Sequence, residues 1–190
     1  MKSIKSYIIE KLKITSDNIN NYTYVPETKT ELQNIIKDRI EKEGYQIDLN
    51  DIDVSLITDL CGLFQGIKGL KLNELNKLEV NVSNWDTSNV EDMSGLFYNM
   101  GKFNCDISKW NTSKVTSMAN MFTYCAEFNQ DISKWNVENV KNVNSMFMCC
   151  LKFNQNLENW KIKIRNKKKL LGCFFETPLE NNLPKWYKIK

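Results

Sequence analysis

Residues 103–122 read FNCDISKWNTSKVTSMANMF, and residues 128–147 read FNQDISKWNVENVKNVNSMF. The second stretch begins 25 residues after the first, and the same step of 25 links Trp85, Trp110, Trp135 and Trp160. It also links Phe97, Phe122 and Phe147; Phe103, Phe128 and Phe153; Asn104, Asn129 and Asn154; Val90, Val115 and Val140; and Met93, Met118 and Val143. So many registers at one period establish an internal repeat, the sequence signature of stacked supersecondary units.

The copy at 115–139 shows what one unit should be. Its apolar residues Val115, Met118, Met121, Phe122 and Cys125 fall at steps of three and four, which predicts a helix. The second half, 128–135, is strand-like around Asp131-Ile132-Ser133 and turns at Trp135-Asn136. Neither half can bury its apolar side alone, so copies must stack and bury each other. Asn104, Asn129 and Asn154 are expected as buried amides that hydrogen-bond the backbone of their own and the next copy. The Trp and Phe ladders are expected to supply most of the core area. This predicts a right-handed α/β solenoid.

Outside the regular copies the pattern frays. An irregular first copy runs from Ile57 through Leu60, Leu63 and Phe64, and reaches Val82 and Trp85 after an insertion at 66–78. An irregular last copy runs through Leu170, Leu171, Phe174 and Phe175 to Trp186, with Pro178 and Pro184 ending its regular structure. Stacked repeats need covered ends. Thr28 with Glu31 is a capping-box pattern, Leu32, Ile35, Ile36 and Ile40 form an apolar face, and Gly44 is a natural stop. A capping helix is therefore expected over 28–43. The chain divides into an amphipathic helix and linker (1–26), the capping helix and lead-in (27–56), the repeats with a C-terminal cap (57–187) and a short tail (188–190). Within the first part, Ile4, Ile8 and Leu12 share one face with Lys2, Lys5, Lys11 and Lys13 around them. This is the pattern of a helix added to the cap or of a docking helix for a partner groove.

Composition narrows function. The net charge of +3 is mild, and the chain contains no histidine. The commonest general base and metal ligand are thus missing, which lowers the expectation of catalysis and of a cofactor. The six cysteines form no CxxC pair, so no metal site is expected. No apolar stretch approaches the ~18 residues of a membrane span, and the first 15 residues lack the apolar core of a signal peptide. The expected location is the cytoplasm with reduced thiols; the alternative is a cell surface reached by an unseen export route. Cys125 and Cys150 occupy one register position in adjacent copies, so a disulfide is conceivable, with free thiols the favoured state.

The copies FNCDISKWNTSKVTSMANMF and FNQDISKWNVENVKNVNSMF resemble the BspA-like leucine-rich-repeat family in its Mycoplasma-type 25-residue variant. The leader TKTELQNIIKDRIEKEGYQIDLNDIDVSLITDLCGLF (28–64) and the exit ETPLENNLPKWYK (176–188) are similar to that family's flanks. The resemblance implies a leucine-rich-repeat-like solenoid without enzymatic activity, in a family whose members include bacterial surface proteins that bind host proteins or other cells. The opening MKSIKSYIIEKLKIT is similar to the start of small proteins of crAss-like gut bacteriophages. That implies a phage product working inside a bacterium.

Three surfaces are candidates. If Ile132 points inward, Asp131 and Ser133 point outward. Stacked copies then present Asn81 and Ser83, Asp106 and Ser108, Asp131 and Ser133, and Asn156 and Glu158, with Lys109 and Lys134 beside them. Such extended faces suit recognition of a protein partner. The block Lys161, Lys163, Arg165, Lys167, Lys168 and Lys169 alternates with Ile162 and Ile164 at its start. It reads as an edge strand with one charged face, or as a phosphate-backbone contact for nucleic acid. The expected function is a non-catalytic protein-binding module, acting as an intracellular binder or inhibitor of a bacterial protein such as a defence nuclease. The alternatives are surface adhesion and nucleic-acid binding through 161–169.

Overall fold

The spacing of three and four between Val115 and Cys125 arises from successive turns, not from an α-helix. The structure, a computed structural model, describes residues 22–187. In this segment backbone N–H groups go alternately to two destinations. Met121, Thr123 and Cys125 donate three residues back, to Met118, Asn120 and Phe122, at 3.2, 3.2 and 2.9 Å. Met118, Asn120, Phe122 and Tyr124 donate to the next copy, at Asn142, Asn144, Met146 and Met148, each at 2.9 Å. An α-helix would return every N–H to a carbonyl four residues back; here half of them leave the segment. The same alternation recurs at 93–100 and 143–150. It requires left-handed backbone twice per copy, at Gly95 and Asn99, Asn120 and Tyr124, and Ser145 and Cys149, with φ between 52 and 62°. A right-handed helix cannot contain such residues.

The expected α/β leucine-rich-repeat-like right-handed solenoid, with a helix and a strand in each copy, is therefore overturned. Among the described residues, regular structure is confined to helix α1 (Lys29–Glu43), strand β1 (Gln46–Asp48), the four-residue helix α2 (Leu72–Leu75), strand β2 (Glu79–Asn81), and 3-10 turns at Lys167–Lys169 and Pro178–Asn181. The repeats themselves are turns joined by isolated parallel bridges, Asp59 to Asp92, Asp92 to Ser117, and Ser117 to Asn142. The expected strand at 128–135 and the expected edge strand at 161–165 do not form. Their side-chain alternation is nevertheless real: Ile132 and Ile164 are buried while Asp131, Lys163 and Arg165 are exposed.

Layers rest on one another through identical side chains. Phe64, Phe97, Phe122, Phe147 and Phe174 stack in one column, with ring centroids 5.6–5.8 Å apart. Phe103, Phe128 and Phe153 form a second column at 5.8 and 5.6 Å. The tryptophans do more than fill space. The indole N–H groups of Trp85, Trp110, Trp135, Trp160 and Trp186 donate to the carbonyls of Leu49, Val82, Ile107, Ile132 and Leu157, at 2.7–3.1 Å. Each of these carbonyls belongs to the preceding layer. Val82, Ile107, Ile132 and Leu157 also accept the backbone N–H of the tryptophan three residues on. Both lone pairs of a buried carbonyl are thus satisfied, one within the layer and one from the next, which removes the penalty for burying it.

The expected Asn ladder exists but is exposed rather than buried. Asn104 Oδ1 accepts from Asn129 N, and Asn129 Oδ1 from Asn154 N, both at 3.0 Å. Cys125 and Cys150 are free thiols, not a disulfide. Each donates one layer back, to Phe97 O at 3.0 Å and Phe122 O at 2.9 Å.

At the N-terminal side, α1 begins where Thr28 Oγ1 accepts from Glu31 N at 3.2 Å and ends at Gly44, φ 84°. Leu32 and Ile36 bury completely. Arg39 joins α1 to the first layer, donating to Asp51 Oδ1 at 2.9 Å and Asp48 O at 2.7 Å. Strands β1 and β2 pair in parallel, Ile47 opposite Val80. The insertion expected at 66–78 carries α2, where Glu74 accepts from Tyr45 OH at 3.0 Å. Pro178, expected to end regular structure, instead opens a 3-10 turn, and Trp186 stacks on Trp160 at 5.8 Å. The amphipathic stretch 1–13 lies outside the described residues.

Candidate functional site

Asp106, Asp131 and Asn156 sit at one corner of three successive layers, and all three are exposed. Each side chain first serves its own turn. Asp106 Oδ1 accepts from Ser108 N at 3.0 Å, Asp131 Oδ1 from Ser133 N at 2.9 Å, and Asn156 Oδ1 from Glu158 N at 2.9 Å. These are Asx turns, in which a short polar side chain mimics a backbone turn. The bonds from Ser108 hold the Asp106 carboxyl below its ordinary acid range, with the backbone N–H foremost. The Asp131 carboxyl is lowered likewise, chiefly by the Ser133 side chain. One carboxylate oxygen per layer is committed to the turn, and the exposed carboxyl keeps its charge on the surface.

Ser108 and Ser133 are half-buried beside these acids, while Lys109, Lys134 and Glu158 are exposed. Glu158 Oε2 also accepts from Lys185 N at 3.3 Å. The expected face is therefore brought together as one column, built from turns rather than from a sheet.

Sequence reasoning missed the neighbouring column. Ile47, Val80, Cys105, Gln130 and Gln155 hold one register position in successive layers; Ile47 and Val80 are buried there, and the other three are half-buried. Gln130 Nε2 donates to Asn104 O and Oδ1 at 2.9 and 3.0 Å, and Gln155 Nε2 to Asn129 O and Oδ1, both at 2.8 Å. These amides fasten one layer to the one before. Cys105, with a shorter side chain, reaches the preceding layer through its sulfur, which accepts from Val82 N at 3.4 Å and donates to Asn81 Oδ1 at 3.5 Å. Beside it lies a groove of about 500 Å³ whose lining includes Asp48, Glu79, Asn81, Lys102, Cys105 and Asp106. Burial raises the Cys105 thiol above its ordinary range, so it is no ready nucleophile. The available signal was the single departure from Gln at position 105 in an otherwise matching triplet.

The basic residues Lys161, Lys163, Arg165, Lys167, Lys168 and Lys169 are all exposed where the chain enters the last layer, beginning three residues after Glu158. Lys161 and Lys163 approach the same carboxylate, Glu138, at 3.6 and 3.7 Å. The edge strand expected here is replaced by extended backbone and a 3-10 turn, which Asn166 caps by accepting from Lys168 N at 3.0 Å. Among the described residues, no cluster of Cys, Asp and Glu is placed to hold a metal ion, and no helix is long and apolar enough to cross a membrane.

These features define a class: a turn-built repeat stack with ordered exposed side-chain columns and an interior committed to interlayer contacts. Residues 69–186 match the model of a family described as Mycoplasma protein of unknown function, DUF285. The match covers more than half of the chain, which therefore belongs to that family. No curated protein and no solved structure matches the chain.

Proposed function

We propose that this chain is a non-catalytic protein-binding module. Its recognition surface is the column of Asp106, Ser108, Lys109, Asp131, Ser133, Lys134, Asn156 and Glu158, together with the groove beside Cys105. The observation that carries this reading is register. Acidic and basic side chains recur at one corner of successive layers and are exposed, giving an extended, rigidly spaced polar surface of the kind repeat proteins use for partners. A cytoplasmic binder or inhibitor of a bacterial protein is the favoured role, and a surface ligand is the outcome that would replace it.

The test is affinity capture with the immobilised chain, from bacterial lysate and from host-cell surface extract, identified by mass spectrometry. Asp106→Asn, Asp131→Asn and Glu158→Gln together remove charge while the two Asn substitutions keep a turn acceptor. Lys109→Glu with Lys134→Glu reverses the neighbouring charges. A single captured protein, lost with either variant, supports the surface. Capture unchanged by both variants, or no capture from either source, refutes it.

A further inference from the structure

The last layer carries a surface that the protein-binding column does not use. Lys161, Lys163, Arg165, Lys167, Lys168 and Lys169 lie within nine residues and are all exposed. The carboxylate of Glu138 is the acid paired with two of them. Immediately beyond come two apolar side chains that a protein would ordinarily bury: Leu171 is 58% exposed and Phe175 48% exposed. Leu151, from the layer before, is 60% exposed. These three are half of the large hydrophobic side chains exposed among the described residues.

Their backbone shows why they remain outside. Lys169, Leu171, Cys173 and Phe175 accept from Val143, Ser145, Phe147 and Cys149 of the preceding layer, at 2.8–2.9 Å. The segment is therefore fixed in register as the next layer of the stack. Cys173 and Phe174 point into the core, whereas Leu171 and Phe175 do not. The basic run thus leads directly into a layer whose backbone is fixed from Lys168 to Phe175.

We infer that this layer docks on anionic phospholipid, with the basic residues on headgroups and Leu171 and Phe175 entering the interface. Charge complementarity selects an anionic partner, because clustered Lys and Arg are drawn to the negative potential of a membrane surface. The exposed apolar groups select lipid over nucleic acid. A lipid interface accepts buried apolar area beside basic side chains, whereas phosphate-backbone binding does not use it. Stacking on successive single-stranded bases would need several exposed aromatic platforms, and in this layer Phe175 alone is largely exposed among the described aromatic side chains.

The test is co-sedimentation with vesicles of phosphatidylcholine containing 30% phosphatidylglycerol, against phosphatidylcholine alone and against a 20-base-pair duplex. The intact chain should bind the anionic vesicles at least tenfold more tightly than neutral ones, with weaker binding at high salt. Lys161→Glu, Lys163→Glu and Arg165→Glu together should abolish binding. Leu171→Ser with Phe175→Ser should reduce it several-fold and leave the thermal midpoint near that of the parent, since both side chains are already largely exposed. Tighter binding to the duplex, or vesicle binding indifferent to the apolar variant, overturns the inference. So does the absence of anionic-vesicle binding by the intact chain.

Discussion

Replacing Trp135 with Phe tests the interlayer contact most directly. The indole N–H of Trp135 donates to Ile107 O at 3.1 Å, and the ring is 4% exposed. Phenylalanine keeps an aromatic ring in the column but lacks the donor. Ile107 O retains its bond from Trp110 N, also at 3.1 Å, so the carbonyl is not orphaned and the loss is that of one ordinary hydrogen bond, about 0.5–1.5 kcal/mol. The smaller ring forfeits roughly 40 Å² of buried apolar surface, about 1 kcal/mol at ~25 cal/mol per Å². The sum is about 1.5–2.5 kcal/mol, equivalent to a fall in melting midpoint of about 3–10 °C for a chain of this size. Differential scanning calorimetry measures this, with urea unfolding as a second probe. Trp186→Phe is the control: its indole also donates, to Leu157 O at 2.7 Å, but the side chain is only partly buried in the last layer. It should cost less. A midpoint that moves by less than ~1 °C in Trp135→Phe, or a larger loss in Trp186→Phe, would refute the reasoning that buried indole bonds hold the layers together.

The remaining predictions follow from local geometry. Ser145 has φ 52°, so Ser145→Gly should relieve left-handed strain of about 1–2 kcal/mol against a glycine entropy cost of about 0.5–1 kcal/mol, raising the midpoint by about 1–3 °C in calorimetry. Conversely, Gly95 has φ 61° and room for a Cβ, the nearest atom being Gln65 Oε1 at 3.5 Å; Gly95→Ala should cost about 1 kcal/mol from backbone strain alone. Because Asp106 and Asp131 titrate below their ordinary range in the fold, their contribution to stability is present above the unfolded aspartate value near ~4 and is lost as pH falls through the lower folded value. The loss in acid should shrink in Asp106→Asn with Asp131→Asn, measured as urea midpoint against pH. Burial, aided by Glu176, holds the Cys149 thiol up at about 11, so its alkylation by iodoacetamide should keep accelerating well above pH 9. The buried Cys125, Cys150 and Cys173 should react only after unfolding, which peptide mapping reads directly.

The repeat, its period and its inward-facing apolar residues were legible because identical side chains recur at fixed spacing, and a stacked core requires that recurrence; the recurring Asn104, Asn129 and Asn154, expected inside, are exposed. The helix at Lys29–Glu43 was legible from Thr28, Glu31 and Gly44, whose chemistry marks its ends. The conformation of the repeat was not. Turns with bonds three residues back and helices with bonds four back both place apolar residues at steps of three and four, so Val115, Met118, Met121 and Cys125 suit either. The deciding feature is left-handed backbone at positions 120, 124, 145 and 149, which hold Asn, Tyr, Ser and Cys; Gly95, 25 residues before Asn120, is the one glycine at these positions in the regular copies. The candidate face was legible as outward-pointing, from alternation about Ile132. Its mechanism was not, although Asp and Asn at a fixed corner, bonded to the second residue on, are an Asx-turn signal present in every regular copy.

The interior of this chain leaves little room for specificity, because the buried phenylalanines stack on their counterparts one layer away, and the buried indoles and the Cys125 and Cys150 thiols donate to carbonyls of the preceding layer. What differs between layers must therefore lie outside, and it differs in a direction. Along the exposed face, Asp48 and Glu79 precede Asp106 and Asp131, the column becomes Asn156, and the last layer presents six cations. With a Debye length of about 8 Å at physiological salt and layers stacked 5.6–5.8 Å apart, charges in adjacent layers are only partly screened from one another, and Glu138 already pairs with Lys161 and Lys163. The net charge of +3 conceals this separation. Charge variants at the last layer should therefore also shift binding at the nearest part of the column, Glu158, and this shift should fade as salt is raised.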